Sequence, residues 1–438
     1  MCLSKTARLA AIALLGLLYV PANASAQPPT QPAQEDAQVL SLESLISEAL
    51  KANPEIEAAR LRWEAARDRI SQAGVLPDPM LSLRLDNISE RLTIGKEEMS
   101  MAGVELSQMI PFPGKRPLMK QMAAQEAERE AALLEATRRK VVAEVKMLYY
   151  ELYLAGRSRA IVEQTRRLLQ TLADTAQARY SVGEGLQQDV LRAQTELARI
   201  NERSARIEQQ EGSLRAQLNA FLRRAPDAEL GEPEPLRPAP LPPDRHQLIS
   251  RAVEQAPQVQ ALDRMATMKE RAVSLARREY YPDFELSVGY LDRGRLSSMY
   301  EAMVSLNLPI YYRSRQRAKV QEVVNDLGSV QEERFAAERQ VQFQVTQLYL
   351  EAANHHRLLP LFSEGILPQA GLSLESARTG YAVGKVDFLT LLDNAIKLLE
   401  DELGYQEILV RYQKALAGLE ELTGLSLTGE DGVDKEFP

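Results

Sequence analysis

Residue types that carry catalysis or bind metals are scarce in this chain of 438 residues. Its one cysteine is Cys2, and two of its three histidines are the neighbours His355 and His356. Neighbours on a helix point about 100° apart, which is poor geometry for sharing a metal compared with a pair at i, i+4. His246 stands alone, and the sequence has no glycine-rich phosphate loop and no G-x-S-x-G motif. We therefore expect no enzyme activity, no bound cofactor and no metal site.

The first 26 residues have the pattern of a secretory signal. Lys5 and Arg8 precede an apolar run, and residues 24–26 are the small residues of a cleavage site. The run from Leu9 to Val20 is too short to cross a hydrocarbon core of about 30 Å, which argues against a membrane anchor. We expect the signal to be cleaved, so that the exported chain contains no cysteine and forms no disulfide.

Charge and hydropathy narrow the classes of partner. Cleavage of the signal removes Lys5 and Arg8 and changes the formal net charge from −8 to −10. An acidic chain is poorly suited to binding nucleic acid, whose phosphates attract cationic surfaces. No later stretch of about 18 apolar residues follows, so an exported chain of this kind would enter a membrane only through strands.

Two pairs of strands are predicted from alternating apolar and polar residues. The first pair covers residues 79–87 and 100–110, where Val104 and Leu106 alternate with polar neighbours. The second pair covers residues 283–292 and 300–310, and Pro309 closes it. Each predicted strand therefore has one apolar and one polar face.

Each strand pair is followed by a long helical hairpin, predicted at residues 117–222 and 316–423. The first arm of the first hairpin, about 60 residues without an internal proline, is far longer than a globular helix needs. Apolar residues recur on this arm in steps of four and three, which is the heptad seam of a coiled coil. They are Val141, Val145, Leu148, Leu152 and Ala155.

The two halves of the chain repeat each other. Val341 and Tyr349 match Val141 and Tyr149 at an offset of 200, and the Tyr-x-Val-Gly turn at 381–384 matches the turn at 180–183. Matches in order at nearly equal offsets indicate an internal duplication. The predicted fold is mainly α with a small β part, in which a helix-strand-strand-long helix-helix unit occurs twice. Its segments are a signal (1–26), an extended leader (27–40), the first repeat (41–224), a proline-rich linker (225–243), the second repeat (244–424) and a tail (425–438).

Four strands in one chain cannot form a closed membrane barrel, because their edges would leave backbone groups unsatisfied in lipid. If the strands enter a membrane, several chains must share one barrel, and the same symmetry would wrap the hairpins into a tube. A polar-lined barrel continued by a helical tube is a conduit. Two other interpretations remain open from the pattern alone: a water-soluble sheet packed on helices, and a periplasmic coiled-coil scaffold or adaptor.

Three motifs make the chain resemble the TolC-like outer-membrane efflux channels. They are L-P-D-P at 76–79, M-I-P-F-P-G-K-R at 109–116 and the two Tyr-x-Val-Gly turns, and the likeness extends from about Ser41 to Gly424. The first two motifs look most like the branch that serves cobalt, zinc, cadmium and copper pumps. The resemblance implies a homotrimer whose twelve-stranded β-barrel lies in outer-membrane lipid and continues as a periplasmic α-helical coiled-coil tunnel. It also implies a periplasmic adaptor (membrane fusion protein) and an inner-membrane resistance-nodulation-division pump as partners, with drugs or other small molecules as the alternative cargo.

In that family, coiled helices close the periplasmic end of the tunnel and untwist to open it. The resemblance places Tyr381 and Asp189 in a latch between neighbouring hairpins, and Asp393 in an acidic ring that narrows the pore. The chain departs from the family pattern at Thr390, where a second ring Asp is common, and at Val386, where a latching Arg is common. One carboxylate per chain would still favour cations. The alternative is that Asp393 is an ordinary solvated residue of the helix face.

The resemblance also implies that the adaptor docks on the hairpin tips. The candidate docking residues are Gly183, Glu184, Gly185, Gly384 and Lys385. The glycines suit tight turns by themselves, so a purely structural role is the alternative.

Overall fold

A computed structural model describes residues 39–87, 99–242 and 244–428 of the chain. The predicted signal (1–26) and residues 27–38 of the predicted leader lie outside these described residues, as do residues 429–438 of the predicted tail. The elements of the first copy are β1 (Val39–Leu40), α1 (Leu42–Ala52), α2 (Pro54–Ala73), β2 (Met80–Asp86), β3 (Met101–Ile110), α3 (Lys115–Ser181), α4 (Gln187–Phe221) and β4 (Glu232–Pro233).

The second copy repeats this order with one additional break. Its outgoing arm is divided by a six-residue π-helix at Leu361–Ile366. The remaining elements are α5 (Arg245–Gln255), α6 (Pro257–Arg278), β5 (Phe284–Arg293), β6 (Leu296–Leu306), α7 (Gln316–Pro360), α8 (Leu367–Ala382) and α9 (Phe388–Thr423). The duplicated, mainly helical fold predicted from the sequence is thus present.

The long helix α3 is the axis of the helical part. It contains 67 residues, which corresponds to about 100 Å at 1.5 Å per residue. Its seam residues Val141 and Val145 are buried in a core shared with α7 and α9 of the second copy. The shorter helices α2 and α4 both pack along α3, and Nδ2 of Asn53 donates to the carbonyl of Phe221 over 3.3 Å, so their ends meet. Among the described helices, none combines the length and apolar character that crossing a membrane requires.

The strands β2, β3, β5 and β6 form one antiparallel sheet in that order. Residues directly opposite one another share a face, and the two faces alternate along each strand. One row across the sheet is Ser82, Glu105, Gly289 and Glu301, and an adjacent row on the other side is Leu83, Val104, Tyr290 and Tyr300. We call these sides the polar face and the apolar face.

The fourth strand differs from its prediction. β6 runs from Leu296 to Leu306, four residues earlier than the predicted strand at 300–310. The shift follows from the tight turn at Gly294, whose φ of +65° lets Leu296 pair with Arg293. The N–H of Asn307 makes one last bond to the carbonyl of Asp283, and Pro309 has no N–H to continue the ladder.

The π-helix is a structural difference between the two copies, because only the second copy contains it. The sequence predicts an uninterrupted outgoing arm from residue 316, but the backbone ladder changes register between α7 and α8. Pro360 and Pro368 flank this segment, and neither can donate the hydrogen bond of a regular helix. The corresponding part of α3 contains no proline and stays regular.

The end of the predicted leader and the proline-rich linker are held against the helices. Val39 pairs in parallel with Glu232, so the end of the predicted leader and part of the proline-rich linker form a small sheet. The hydroxyl of Tyr149 donates to the carbonyl of Leu40 at 3.2 Å and accepts from the N–H of Glu234 at 2.9 Å. These contacts hold both segments against α3.

Candidate gate and hairpin tips

The two hairpin tips have the same backbone geometry. Gly183 and Gly384 adopt φ values of +79° and +74°, which residues with a side chain rarely adopt. The N–H of Gly183 bonds to the carbonyl of Tyr180 at 3.0 Å, and that of Gly384 bonds to Tyr381 at 3.1 Å. A Cβ atom at either glycine would meet no other atom within 4 Å. The turns therefore need glycine for its backbone freedom rather than for space.

The other tip residues divide into exposed and packed positions. Glu184 and Lys385 are exposed, and their N–H groups close the turns by bonding to the carbonyls of Arg179 and Gly380. Gly185 is different, because an added Cβ would lie 3.0 Å from the backbone nitrogen of Tyr180. A side chain at this position would press on the backbone of the tip.

Tyr381 joins the two hairpins of the chain at their tips. The guanidinium of Arg179, on the first hairpin, lies 4.3 Å from the centre of the Tyr381 ring and donates to the Tyr381 carbonyl at 2.9 Å. The Tyr381 ring also meets Phe388 edge-on at 5.7 Å. Burial raises the pKa of the Tyr381 hydroxyl, and the carboxylate of Asp189 raises it further, whereas Arg179 opposes the shift. Arg179, which the motif does not identify, thus contacts Tyr381 across the two tips, and the latch between Tyr381 and Asp189 stays a prediction.

Asp387 organises the entrance to α9. Its carboxylate accepts the N–H of Thr390 at 2.7 Å and caps the helix. The pKa of Asp387 lies below its ordinary value because its carboxylate accepts hydrogen bonds from the side chain and backbone of Thr390. Thr390, a candidate gate residue from the sequence, therefore takes part in the cap of α9.

Asp393 lies one turn beyond Thr390 on the exposed face of α9. Its neighbours Leu391 and Leu392 are buried in the core between the hairpins. Within the part of the chain that the structure describes, the side chain of Asp393 has no hydrogen bond or ion pair. Its carboxylate is therefore exposed to solvent.

The polar face of the sheet is acidic. Asp86, Glu105, Glu285 and Glu301 lie on this face, and Arg84 spans two neighbouring strands to reach Glu301 at 2.9 Å. The Arg84–Glu301 ion pair joins β2 to β6, and Gly103 and Gly289 lie on the two intervening strands, β3 and β5. Ser107 and Ser287 are buried on the same face, whereas Leu83 on the apolar face is 80% exposed.

The junction between sheet and helices is held by the proline-rich motif of the first copy. Nζ of Lys115 lies 2.8 Å from Oδ1 of Asp283 on the second copy, and the same oxygen accepts the N–H of Phe112 at 2.7 Å. The Phe112 ring stacks on Tyr281 at 4.6 Å. Gly114, with φ of +93°, places the carbonyl of Pro113 against Arg278. The motif that suggested the family thus fixes one copy to the other where strands become helices.

The histidines lie in unrelated surroundings. The ring of His356 packs on Tyr412 at 5.5 Å, and burial lowers the pKa of His355. Within residues 39–87, 99–242 and 244–428, no group of three or more His, Cys, Asp or Glu side chains is arranged to hold a metal ion.

Comparison with known proteins places this geometry in a family. The model of the family described as outer membrane efflux protein matches residues 45–222 and 248–425. The cobalt-zinc-cadmium resistance protein CzcC of Cupriavidus metallidurans is 22% identical over 412 residues, which cover 89% of this chain and 91% of that protein.

Solved structures share the fold over most of their length. The chain superposes on CusC with a TM-score of 0.76 and 16% identity, covering 87% of this chain and 92% of CusC. It superposes on the outer membrane protein VceC of Vibrio cholerae with a TM-score of 0.74 and 17% identity, covering 87% and 96% of the two chains. The family match confirms the resemblance inferred from the motifs. The chain therefore belongs to the outer membrane efflux protein family, whose members are channels and not enzymes.

Proposed function

We propose that three copies of this chain form an outer-membrane channel that passively conducts heavy-metal cations from the periplasm to the outside of the cell. The observation that carries the proposal is the two-faced sheet with two free edges. β2 and β6 are edge strands in the single chain, and their unpaired backbone groups would be unsatisfied in lipid. Twelve strands from three chains remove these edges.

The exposure of the sheet supports the same arrangement. Leu83, Val288 and Val304 on the apolar face are 80%, 58% and 65% exposed. Burying such a surface in hydrocarbon is favourable by about 25 cal/mol per Å². The acidic polar face would then surround the lumen.

The hairpins supply the periplasmic part of the duct. In this proposal, hairpins from three chains enclose a tunnel whose end is closed at the Arg179, Tyr381 and Asp189 cluster. A periplasmic adaptor docks on the tips at Gly183 and Gly384 and couples the tunnel to an inner-membrane resistance-nodulation-division pump. The open space around both glycines supports docking, because a partner can approach the backbone there.

Two features favour metal cations as cargo. Carboxylates outnumber cations on the polar face, and a face of this kind concentrates cations by its field. The curated relative CzcC is named for resistance to cobalt, zinc and cadmium. The same duct for drugs or other small molecules is the second candidate, since the fold is shared with the outer-membrane channels OprN and MtrE, whose names specify no metal.

The test is the tolerance of a strain lacking this gene to zinc, cadmium, cobalt, copper, drugs and detergents, with a complemented control. Sensitivity confined to metals supports the proposal. Sensitivity confined to drugs contradicts heavy-metal cations as the cargo but is consistent with the channel. Outer-membrane fractionation and single-channel conductance of the purified protein address the duct itself. A protein that stays in the soluble periplasmic fraction and conducts no ions would be a scaffold or adaptor instead.

A further inference from the structure

A strongly exposed aromatic and cationic segment follows the last strand. The side chains of Ile310 and Tyr311 are 69% and 72% exposed. Arg313, Arg315 and Arg317 follow within six residues of Tyr311, and all three are exposed. The segment lies where the sheet ends and α7 begins.

The end of α6 extends this surface. The ring of Tyr280 lies 6.5 Å from that of Tyr312, so the segment before β5 and the segment after β6 meet. The guanidinium of Arg313 lies 5.9 Å from the Tyr312 ring. We call Tyr280, Ile310, Tyr311, Arg313, Arg315 and Arg317 the junction patch.

The charges of the junction patch lack partners. Several exposed arginines of the long helices pair with a glutamate three or four residues away, as Arg199 does with Glu196 and Arg206 with Glu202, although, among the described residues, Arg138 and Arg157 on α3 do not. In contrast, no carboxylate in the described part of the chain forms an ion pair with Arg313, Arg315 or Arg317. Three arginines without an ion pair thus follow the exposed aromatic side chains in the chain, and Arg313 lies nearest to a ring.

We propose that the junction patch binds anionic phospholipid headgroups in the leaflet that faces the periplasm. Aromatic side chains favour the boundary between hydrocarbon and water, because their rings are apolar and their polar atoms remain wet. Guanidinium groups bind phosphate oxygens in a bidentate manner. Charge complementarity and continuity with the exposed apolar face identify the occupant as lipid.

The inference rests on the proposed function, because it places the apolar face in a bilayer. A second copy of the chain is the competing occupant, since β6 is an edge strand. A neighbouring copy would meet the patch with protein carboxylates, whereas lipid would meet it with phosphates. The two explanations therefore predict different effects of the lipid that is supplied.

The test is native mass spectrometry of the full-length protein in detergent, titrated with phosphatidylglycerol or with phosphatidylcholine. The wild-type protein should bind phosphatidylglycerol in preference. Each arginine near an anionic surface increases the affinity for that surface about fivefold. The triple variant Arg313→Gln, Arg315→Gln, Arg317→Gln should therefore lose on the order of 100-fold of the preference for phosphatidylglycerol. The matched control is Arg199→Gln, Arg206→Gln, Arg378→Gln, which removes the same charge from exposed helix positions and should keep the preference.

Two outcomes would overturn the inference. One is a wild-type protein without preference for the anionic lipid. The other is a triple variant that keeps the preference; if this variant also loses its oligomer, the patch belongs to a contact with a neighbouring copy. Conductance in neutral phosphatidylcholine bilayers separates this inference from the proposed function: conduction without lipid preference contradicts only the inference, whereas absence of conduction in every lipid contradicts the channel.

Discussion

Nζ of Lys146 lies 2.6 Å from a carboxylate oxygen of Glu420, and this ion pair joins the long helix of the first copy to the last helix of the second. Glu420 is fully buried. It also accepts the N–H groups of Leu427 and Thr428, so it holds the start of the C-terminal segment against α9. One carboxylate therefore connects both repeats and the tail.

Removing this charge should destabilise the protein strongly. Glu420→Gln leaves the Lys146 ammonium buried without a counter-charge, and breaking a buried pair in this way costs about 3–5 kcal/mol of unfolding free energy. The control is Lys414→Gln, which breaks a half-exposed pair with Glu151 at 2.6 Å and should cost about 1 kcal/mol or less. Denaturant unfolding of the detergent-solubilised proteins measures both, and equal losses would contradict the role given to burial.

The tip glycines allow folding to be separated from adaptor docking. Asn tolerates positive φ better than other residues with a side chain, and the space around Gly384 is open. Gly384→Asn should therefore leave the oligomer in the outer membrane but abolish export in the metal-tolerance assay. The control Gly185→Asn meets the backbone of Tyr180 and should disturb the tip itself. Normal export by Gly384→Asn would exclude docking at this tip, and loss of the oligomer would assign the glycine to folding.

The exposed carboxylate of Asp393 should set ion selectivity. Asp393→Ala removes a charge without removing a hydrogen bond or ion pair within the described residues, so we expect weaker cation selectivity and weaker block by divalent cations in planar bilayers. Asp387→Ala is the matched control, since it removes a nearby carboxylate that caps α9. It should loosen the tip without the same loss of selectivity. Unchanged block and selectivity in Asp393→Ala would eliminate the acidic-ring hypothesis.

Alkaline pH should loosen the contact between the hairpins. The pKa of Tyr381 is raised above its ordinary value of 10.0, chiefly by burial. A raised pKa in the folded state means that the contribution to stability is present below 10.0 and is lost as the pH rises through the raised value. The thermal unfolding midpoint of the wild-type protein should therefore fall more steeply at alkaline pH than that of Tyr381→Phe. Parallel curves for the two proteins would contradict this account.

Periodicity predicted the repeated fold because alternation and heptads are local properties of the sequence. The predicted position of β6 was wrong by four residues, because apolar Leu308 continues the alternation past the last paired residue and the pattern alone does not locate the turn at Gly294. Asp387 carried a usable signal, a capping residue directly before the apolar start of a helix. The π-helix carried a weaker signal in its two flanking prolines.

The remaining features depend on contacts between distant residues. Arg179 reaches Tyr381 across 202 positions, and nothing near Arg179 in the sequence marks it as a partner. Glu420 looks like any charged residue of a coiled coil, yet it is fully buried because α3 and the segment at Leu427 close over it. Burial of a single charge is set by packing, which no local pattern specifies.

The π-helix makes the two hairpins mechanically unequal. An unbroken helix passes torque from turn to turn, and α3 is unbroken over 67 residues. In the second hairpin the ladder changes register at Leu361–Ile366, so a twist applied at one end is absorbed there as local bending. Duplication has thus left the chain with one regular arm and one interrupted arm, and we expect motion at the tips to be carried by the interrupted arm.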